Sequence, residues 1–458
     1  MIEALIEELG EAAGIDLPPV RVTGGEPALP SVFPIGTAAA ACVGALTGAV
    51  ARYARRGPGR SGRDPEVLVD VRHAAEAFRS ERHFRVDGRP IDLWAPLSGD
   101  YRTRDGWVRL HCNFAHHRDA ALRALSLPAG ADAEDVGRAC ASRTAIEIEE
   151  AVIREGGCAA AMRTRAEWLA HPQSRAVAGL PLVGLARLPG PSGPHEREAS
   201  GAPDRPLRGV RVLDLSRVIA GPVAARTLAA HGAEVLRVGA AHLPEVPGLV
   251  VETAFGKRSC HIDLRREPET LRELVWRADV VIQAYRPGAL RARGFGPEDL
   301  ARLRPGIVCV DISAYGSRGP WAGRRGFDSL VQMACGIAHE NGDGTRPAPL
   351  PAQALDHGTG WLAAFGAVAG LLRRGAEGGS WHVEVSLART AKWLDDLGRV
   401  DGGHVPPPAD DLLATMDSPF GTLTYVRPPG LIDGAEPYWA DPPPRPGEHP
   451  PAWPAGAE

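Results

Sequence analysis

Beyond residue 207 the sequence alternates between short apolar runs and longer stretches of mixed character, and this alternation constrains the fold more than any other feature. Runs rich in Val, Ile and Leu indicate buried strands, and the stretches between them, several of which open with Gly or Pro, indicate helices. The predicted strands are 210–215, 233–238, 280–283 and 307–312, and the predicted helices are 221–231, 268–278 and 297–303. Such alternation predicts an α/β fold: a Rossmann-like parallel sheet with helices on both faces.

The loops after these strands are the expected ligand site, because ligands of parallel sheets bind beyond the carboxyl ends of the strands. Loops 216–222, 239–240, 284–288 and 313–319 would surround one crevice. The first loop has neither the GxGxxG spacing of dinucleotide sites nor the GxxxxGKS/T spacing of phosphate loops. Its backbone N–H groups can still meet a phosphate or a thioester, and a plain tight turn is an equally open interpretation.

Basic residues are expected to gather at the same crevice. They lie in segments 256–259, 286–288 and 324–328, and the first of these, with Lys257, precedes a predicted strand at 260–264. Clustered Lys and Arg can hold a phosphate-rich ligand, whereas a single such residue is usually a solvated surface charge. With 52 basic and 56 acidic residues the chain has a net charge of −4, so no general attraction to nucleic acid or to an anionic membrane surface is expected.

Asp356 is the candidate nucleophile. It stands just before the Gly-containing start of a predicted helix, in the segment 350–360. A carboxylate at this place is often only a helix cap. It can also attack an acyl thioester to form a mixed anhydride and then an enzyme thioester. The residues alone leave both roles open.

Other chemistries receive less support. His111, Cys112, His116 and His117 are possible metal ligands, but their spacing favours structural or surface roles, and no metal site is predicted. Neither a Ser-His-Asp order nor a hydrolase elbow is present. The seven cysteines, an odd number without a CxxC pair, indicate a reducing compartment. The acidic N-terminus lacks the pattern of a secretory signal and the apolar stretch 38–50 falls short of a membrane span, which predicts a cytoplasmic protein without a membrane partner.

The chain is expected to divide into five segments. They are a partial repeat of the large domain at 1–84, a small α+β domain at 85–187, a linker at 188–206, a Rossmann-like domain at 207–400 and a proline-rich C-terminal strap at 401–458. The repeat hypothesis compares 36–52 with 358–374, two Ala- and Gly-rich stretches that are each followed by a predicted strand. The alternative is that small-residue helices are common in an Ala-rich chain. In this alignment Pro34 stands where the second copy has Asp356.

Seven ordered motifs resemble the class III CoA-transferase family, the type that includes formyl-CoA transferase and carnitine CoA-transferase. They occupy 207–215, 217–222, 256–259, 286–290, 312–316, 326–328 and 355–360. The resemblance implies that Asp356 is the catalytic aspartate of a transferase that moves coenzyme A from an acyl-CoA to a carboxylic acid, without a metal. It implies coenzyme A contacts from Ile219, Ala220, Lys257, Tyr285, Arg286, Arg325, Gly326 and Phe327. It also implies an interlocked dimer, either a homodimer or a pair with a paralogue.

Some positions depart from the family pattern. Phe327 stands where the acyl-CoA racemase branch has its catalytic His, and a phenyl ring cannot exchange a proton, so a transferase is favoured over a racemase. Gly239-Ala240 replaces an acidic and a basic residue, and Ala292 replaces an arginine for which Arg291 or Arg293 would substitute. These departures leave an alternative open, namely a catalytically weak or inactive family member that binds CoA esters.

Overall fold

The computed structural model describes residues 1–56, 65–190, 204–403 and 405–454. The N-terminal segment, residues 1–84, contains α1 (Ile2–Ala13), β1 (Val20–Thr23), α2 (Ile35–Ala54), β2 (Val67–Asp70), α3 (Val71–Ala77) and α4 (Ser80–His83). Strands β1 and β2 are parallel, with α2 as the crossover between them. Asp70 ends β2 and caps α3 by accepting the backbone N–H of His73, which fixes a sharp turn from strand to helix.

The second segment builds a compact layer of its own. Its elements are β3 (Arg85–Val86), β4 (Arg89–Pro90), β5 (Gly99–Arg102), β6 (Trp107–Leu110), α5 (Ala115–Ala124), α6 (Ala133–Ala141), α7 (Ala145–Arg154), β7 (Ala159–Ala161), α8 (Arg165–Ala170), α9 (Pro172–Ala178) and β8 (Gly184–Arg187). The antiparallel sheet β5-β6-β7 and the helices α5 to α7 enclose a separate core that includes Leu110, Ile148 and Val152. Threonine or aspartate capping boxes begin α6, α7 and α8, which explains why these short helices form.

The large sheet is built mainly by the region after residue 207. This region contains β9 (Arg211–Leu215), α10 (Ala220–Ala230), β10 (Glu234–Gly239), α11 (Pro247–Glu252), β11 (Lys257–His261), α12 (Pro268–Trp276), β12 (Val280–Gln283), a 3₁₀ turn (Arg291–Arg293), α13 (Pro297–Leu303), β13 (Val308–Ser313), α14 (Asp328–Ala334), α15 (Ile337–Glu340), α16 (Ala354–Glu377), β14 (Trp381–Ser386) and α17 (Leu387–Asp396). The seven strands have the order β11-β10-β9-β12-β13-β14-β8. All neighbours are parallel except β8, which is antiparallel to β14.

The alternation predicted beyond residue 207 is confirmed: except for the strand predicted at 260–264, every predicted strand and helix has a counterpart within about two residues. The chain therefore has a mixed α/β fold with a large, mostly parallel sheet. One strand begins earlier than expected. Strand β11 runs over Lys257–His261 rather than 260–264, so Lys257 is part of the sheet and not of the loop before it.

Helices α2 and α16 lie against each other in the main core. Both are rich in Ala and Gly, as predicted, and α16 is followed by β14 and α17 just as α2 is followed by β2 and α3. This shared order fits the repeat hypothesis, whose claim of a duplication stays a prediction. Helix α2 has 20 residues and by length and composition alone is long enough to cross a membrane, contrary to the expectation for 38–50, but 94% of its apolar window is buried inside the molecule.

The C-terminal tail is more structured than its proline content suggests. After a 3₁₀ turn (Asp410–Leu412) it forms β15 (Leu413–Ser418), β16 (Gly421–Val426) and β17 (Leu431–Ile432). The hairpin β15–β16 joins β3 and β4 in a four-stranded sheet, and β17 pairs with β2. The tail therefore pairs with strands of both the segment 1–84 and the segment 85–187. Most of the predicted linker, residues 191–203, lies outside the described residues.

Candidate active site

A cleft of about 610 Å³ lies beyond the carboxyl ends of β9, β12 and β13, where the fold predicts a ligand site. Eight of the nine predicted site residues line it: Asp356, Ile219, Ala220, Tyr285, Arg286, Arg325, Gly326 and Phe327. The loops after β9, β12 and β13 contribute as expected. The segment after β10 contributes through His242 to Pro244 rather than through Gly239 and Ala240.

Asp356 lies on the first turn of α16 and is 7% exposed. A second carboxylate, that of Asp328 at the start of α14, accepts the backbone N–H groups of Leu355 and Asp356 at 2.8 and 2.9 Å. Asp328 therefore satisfies donors that the start of a helix leaves unpaired. The carboxylate of Asp356 accepts no hydrogen bond from the described residues, so its oxygens are left for the cleft.

The electrostatics of this pair oppose ionisation of Asp356. Burial raises the pKa of Asp356 well above its ordinary value, and the negative charges of Asp328 and Glu81 raise it further. Burial also raises the pKa of Asp328 to about 6, against the hydrogen bonds that it accepts from the backbone of Asp356 and from the side chain of Gln332. A carboxylate with a raised pKa is more basic when ionised, which suits a nucleophile.

The glycines after Asp356 let α16 approach its neighbours. A Cβ on Gly360 would stand 2.5 Å from the carbonyl oxygen of Ala220, at the start of α10. This close approach brings Asp356 beside the loop that carries Ile219 and Ala220. In that loop Val218 has a φ of 74°, a conformation that is costly for a β-branched residue and is found where the surrounding structure holds it.

Lys257 is the predicted site residue that the structure does not place on the cleft. Its side chain is fully buried, and Nζ donates to Oδ2 of Asp214 at 2.7 Å and to the carbonyl oxygen of Pro222 at 2.8 Å. Burial lowers the pKa of Lys257 to about 8, although Asp214 favours the charged form. Lys257 belongs to β11, and its ammonium group stabilises the loop after β9 from the interior of the molecule. Its charge is paired with Asp214, which argues against direct contact with coenzyme A.

Arginines supply the positive charge of the cleft. They are Arg217, Arg286, Arg293, Arg324 and Arg325. Arg324 donates to Oε1 of Glu149 at 3.0 Å, and Arg325 donates to the carbonyl oxygen of Gly156 at 2.8 Å, so these two attach the small segment to the cleft. The guanidinium groups of Arg286 and Arg293 make no hydrogen bond or ion pair to a described residue. They are therefore available to the phosphates of a ligand.

The same arrangement bears on the substitution at residue 292. Of the two neighbours expected to replace a family arginine there, Arg293 lines the cleft. Arg291 is instead paired with Glu298 at 2.6 Å.

The small α+β segment, residues 85–187, forms one wall of the cleft. Phe114, His116 and His117 line it, and the ring of His111 stacks behind that of Phe327 with centroids 3.6 Å apart. Burial and the neighbouring His117 lower the pKa of His111 to about 3, and burial and His116 lower that of His117 to about 3. Both imidazoles are therefore neutral near pH 7. Within the described ranges, no group of three or more His, Cys, Asp or Glu is arranged to hold a metal ion.

Residues 207–397 match the sequence profile of CoA-transferase family III. This part of the chain is therefore a CoA-transferase family III region. The resemblance carried by the seven motifs is thereby confirmed. Among curated relatives, an acetyl-coenzyme A transferase of Hypoxylon pulicicidum is 29% identical over 361 residues, which cover 73% of this chain and 60% of the relative. A succinyl-CoA:glutarate CoA-transferase of Mus musculus is 35% identical over 208 residues, which cover 40% of this chain and 45% of the relative.

Solved structures of two bacterial proteins align with part of the chain. A crystal structure of a Mycobacterium tuberculosis protein is 31% identical, with a TM-score of 0.39 over 42% of this chain and 58% of that one. A CAIB/BAIF family protein from Brucella suis is 27% identical, with a TM-score of 0.38 over 47% of this chain and 65% of that one. The chain spans 60% of the length of the first of these curated relatives and 45% of the second.

Proposed function

We propose that this protein transfers coenzyme A from an acyl-CoA to a carboxylic acid, with Asp356 as the covalent nucleophile. One observation carries the proposal: on the first turn of α16, at an arginine-lined cleft, Asp356 presents a carboxylate free of hydrogen bonds to the described residues. The adjacent carboxylate of Asp328 is occupied by backbone N–H groups and cannot compete for the same role.

The reaction proceeds by exchange of acyl bonds. An Asp356 oxygen attacks the thioester carbonyl carbon, the C–S bond breaks, and the coenzyme A thiolate leaves a mixed anhydride behind. The thiolate then attacks the Asp356 carbonyl carbon, which releases the first acid and forms an aspartyl thioester. The acceptor carboxylate attacks the carbonyl carbon of that thioester, the C–S bond breaks, and the thiolate leaves a second mixed anhydride behind. The thiolate finally attacks the acceptor carbonyl carbon of this anhydride, and the bond from that carbon to the Asp356 oxygen breaks. The product is the new acyl-CoA, and the Asp356 carboxylate is regenerated without net proton transfer.

The residues of the cleft support these steps in different ways. Arg286 and Arg293 would bind the anionic phosphates and so keep the thiolate close while it is detached. The apolar and neutral aromatic wall of Phe114, His117 and Phe327 would exclude water, which otherwise hydrolyses an anhydride. Burial of Asp356 favours the neutral acyl forms over the free carboxylate.

A trapping experiment tests the proposal. The protein is incubated with a panel of acyl-CoAs, treated with hydroxylamine or borohydride, digested, and the peptide containing Asp356 is examined by mass spectrometry. We expect modification of Asp356 that requires the acyl-CoA. A protein in which Asp356→Ala leaves coenzyme A transfer unchanged would overturn the assignment.

A second candidate is a family member that binds CoA esters but turns them over poorly, alone or beside a complete paralogue. The withdrawal of Lys257 from the cleft favours it, because one predicted charge contact is missing. Calorimetric titration with acyl-CoA separates the two candidates: binding without turnover across a panel of acids supports the second, and absence of binding contradicts both. For both candidates we propose a cytoplasmic protein that assembles either as a homodimer or as a heteromer with a paralogue.

An acyl-CoA racemase is less well supported. That chemistry needs a second proton-exchanging group opposite Asp356, and the corresponding side chain is the phenyl ring of Phe327. The imidazole of His111 lies behind this ring and, among the described residues, is not part of the cleft lining.

A further inference from the structure

A buried hydrogen bond between a histidine and a glutamate joins the N-terminal segment to the helix that carries the proposed nucleophile. His357, next to Asp356 on the first turn of α16, donates from Nε2 to Oε2 of Glu81 on α4 at 2.9 Å. Both side chains are 1% exposed. The ring of Phe78, just before α4, stacks on the imidazole of His357 with centroids 5.9 Å apart.

Burial of this polar pair between two helices costs free energy. Oε1 of Glu81 and Nδ1 of His357 are buried and have no hydrogen-bond partner among the described residues. An unpaired buried polar atom is costly, and a well-packed apolar pair is often at least as stable as a buried ion pair. The packing of α4 on α16 therefore gives no reason for these residue types, which points to a role in the adjacent site.

The hydrogen-bonded pair acts on Asp356 in two ways. It fixes the residue next to Asp356, and so the direction in which the first turn of α16 presents its carboxylate. It also places a negative charge nearby. Burial opposes ionisation of Glu81, but the interactions with His357, with the backbone N–H of Glu81 and with Arg82 together outweigh burial and lower the pKa of Glu81. The ionised Glu81 in turn raises the pKa of Asp356.

We propose that Glu81 is a positioning residue for Asp356, acting through His357, and that the N-terminal segment thereby controls the nucleophile although that segment carries none itself. The inference rests on the proposed role of Asp356. The groups that face Asp356 are Asp328 from α14, Glu81 from α4 and His357 from its own helix. Across the cleft lie the arginines at 217, 286, 293, 324 and 325.

Two substitutions of Glu81 separate its hydrogen bond from its charge. Glu81→Gln keeps an acceptor for His357 and removes the charge, so we expect kcat to change by less than about threefold and the acid limb of the pH profile to move to lower pH. Glu81→Ala removes both, so we expect kcat to fall by about tenfold to a hundredfold, in line with the cost of a small displacement of a reacting group. KM for the acyl-CoA should not change, because Glu81 does not line the cleft.

Asp279→Asn is the matched control. Asp279 is also buried, and it accepts a hydrogen bond from Arg374 of α16 at 3.0 Å. Arg374 lies near the other end of α16, and Asp279 lies at the amino end of β12, away from the cleft. We expect this variant to lose stability and to keep kcat. Equal losses of kcat in Glu81→Ala and Asp279→Asn would show a merely structural role, and an unchanged kcat in Glu81→Ala would equally overturn the inference.

A direct titration keeps this test separate from that of the proposed function. The infrared carboxyl band of Asp356, identified by difference from an Asp356→Asn protein, is followed against pH in the wild type and in Glu81→Gln. A lower midpoint in Glu81→Gln supports the inference even if no acyl-CoA is turned over, and an unchanged midpoint contradicts it. Failure of the wild type to trap an acyl group at Asp356 contradicts the proposed function alone.

Discussion

Helices α2 and α16 are similar in composition and lie side by side, yet only α16 carries a carboxylate on its first turn that lines a cleft. Their starts are stabilised in the same way. Glu26 accepts the backbone N–H of Thr37 at 2.6 Å near the start of α2, as Asp328 accepts those of Leu355 and Asp356. A remote carboxylate is therefore part of how such a helix begins, whereas chemistry needs an additional carboxylate that faces a ligand.

The largest expected effect concerns the nucleophile itself. Asp356→Asn should lower coenzyme A transfer by at least about 1,000-fold, as the loss of a covalent nucleophile does in other enzymes. The amide cannot form the anhydride, and trapping at this residue should disappear. Adding Pro34→Asp to this variant, which places a carboxylate at the corresponding position of α2, should restore nothing, because Pro34 lies outside the lining of the cleft. Recovery of transfer would mean that the two helices are chemically equivalent.

The next effect concerns helix approach. Gly360→Ala places a Cβ 2.5 Å from the carbonyl oxygen of Ala220, and the resulting shift of α16 should lower kcat by about a hundredfold. In α2, Gly48→Ala meets its nearest neighbour, Cγ2 of Val20, only at 3.6 Å. That change should raise the free energy of unfolding by about 0.5–1 kcal/mol and leave kcat unaltered. Steady-state kinetics and urea unfolding of both variants check this; equal kinetics would remove the distinction between the helices.

The helix-start carboxylates give a third, smaller effect. Asp328→Ala and Glu26→Ala should each lower the free energy of unfolding by about 1 kcal/mol, since each leaves backbone N–H groups without an acceptor. Only Asp328→Ala should also lower kcat, by about tenfold, because it frees the backbone of the nucleophile. The comparison would be broken if Glu26→Ala lost activity to the same degree.

The smallest effect redistributes activity over pH. Because the pKa of Asp356 is raised, kcat/KM should fall on the acid side at a pH clearly above the ordinary Asp value of 3.8. For stability the sign follows from the raised pKa of Asp328. The contribution of its protonated form is fully present below 3.8 and is lost as pH rises through about 6. A pH–rate profile and unfolding at several pH values measure both; an acid limb near 3.8 would contradict the electrostatic description.

The sequence predicted best those features that depend on residues close together in the chain. The strands of the large sheet follow from apolar runs such as 280–283. The place of Asp356 before a Gly-containing helix start made it a candidate, and only the resemblance to a family separated a nucleophile from a helix cap. The position of Lys257 was not predictable in this way, because the register of β11 is set by pairing with β10 and not by its own polar residues. Glu81, Phe114 and His117 were missed because only tertiary packing brings them to residues far along the chain.

The antiparallel strand β8 has a practical consequence for the design of truncated fragments. Backbone groups of β14 are paired with Gly184–Arg187, which precede the family III region of 207–397. A fragment that begins at residue 207 would leave the border of the sheet bare, ready to associate with other chains. The region that matches the family III profile is therefore not the unit that should be expressed, and fragments for crystallography or domain exchange should retain β8.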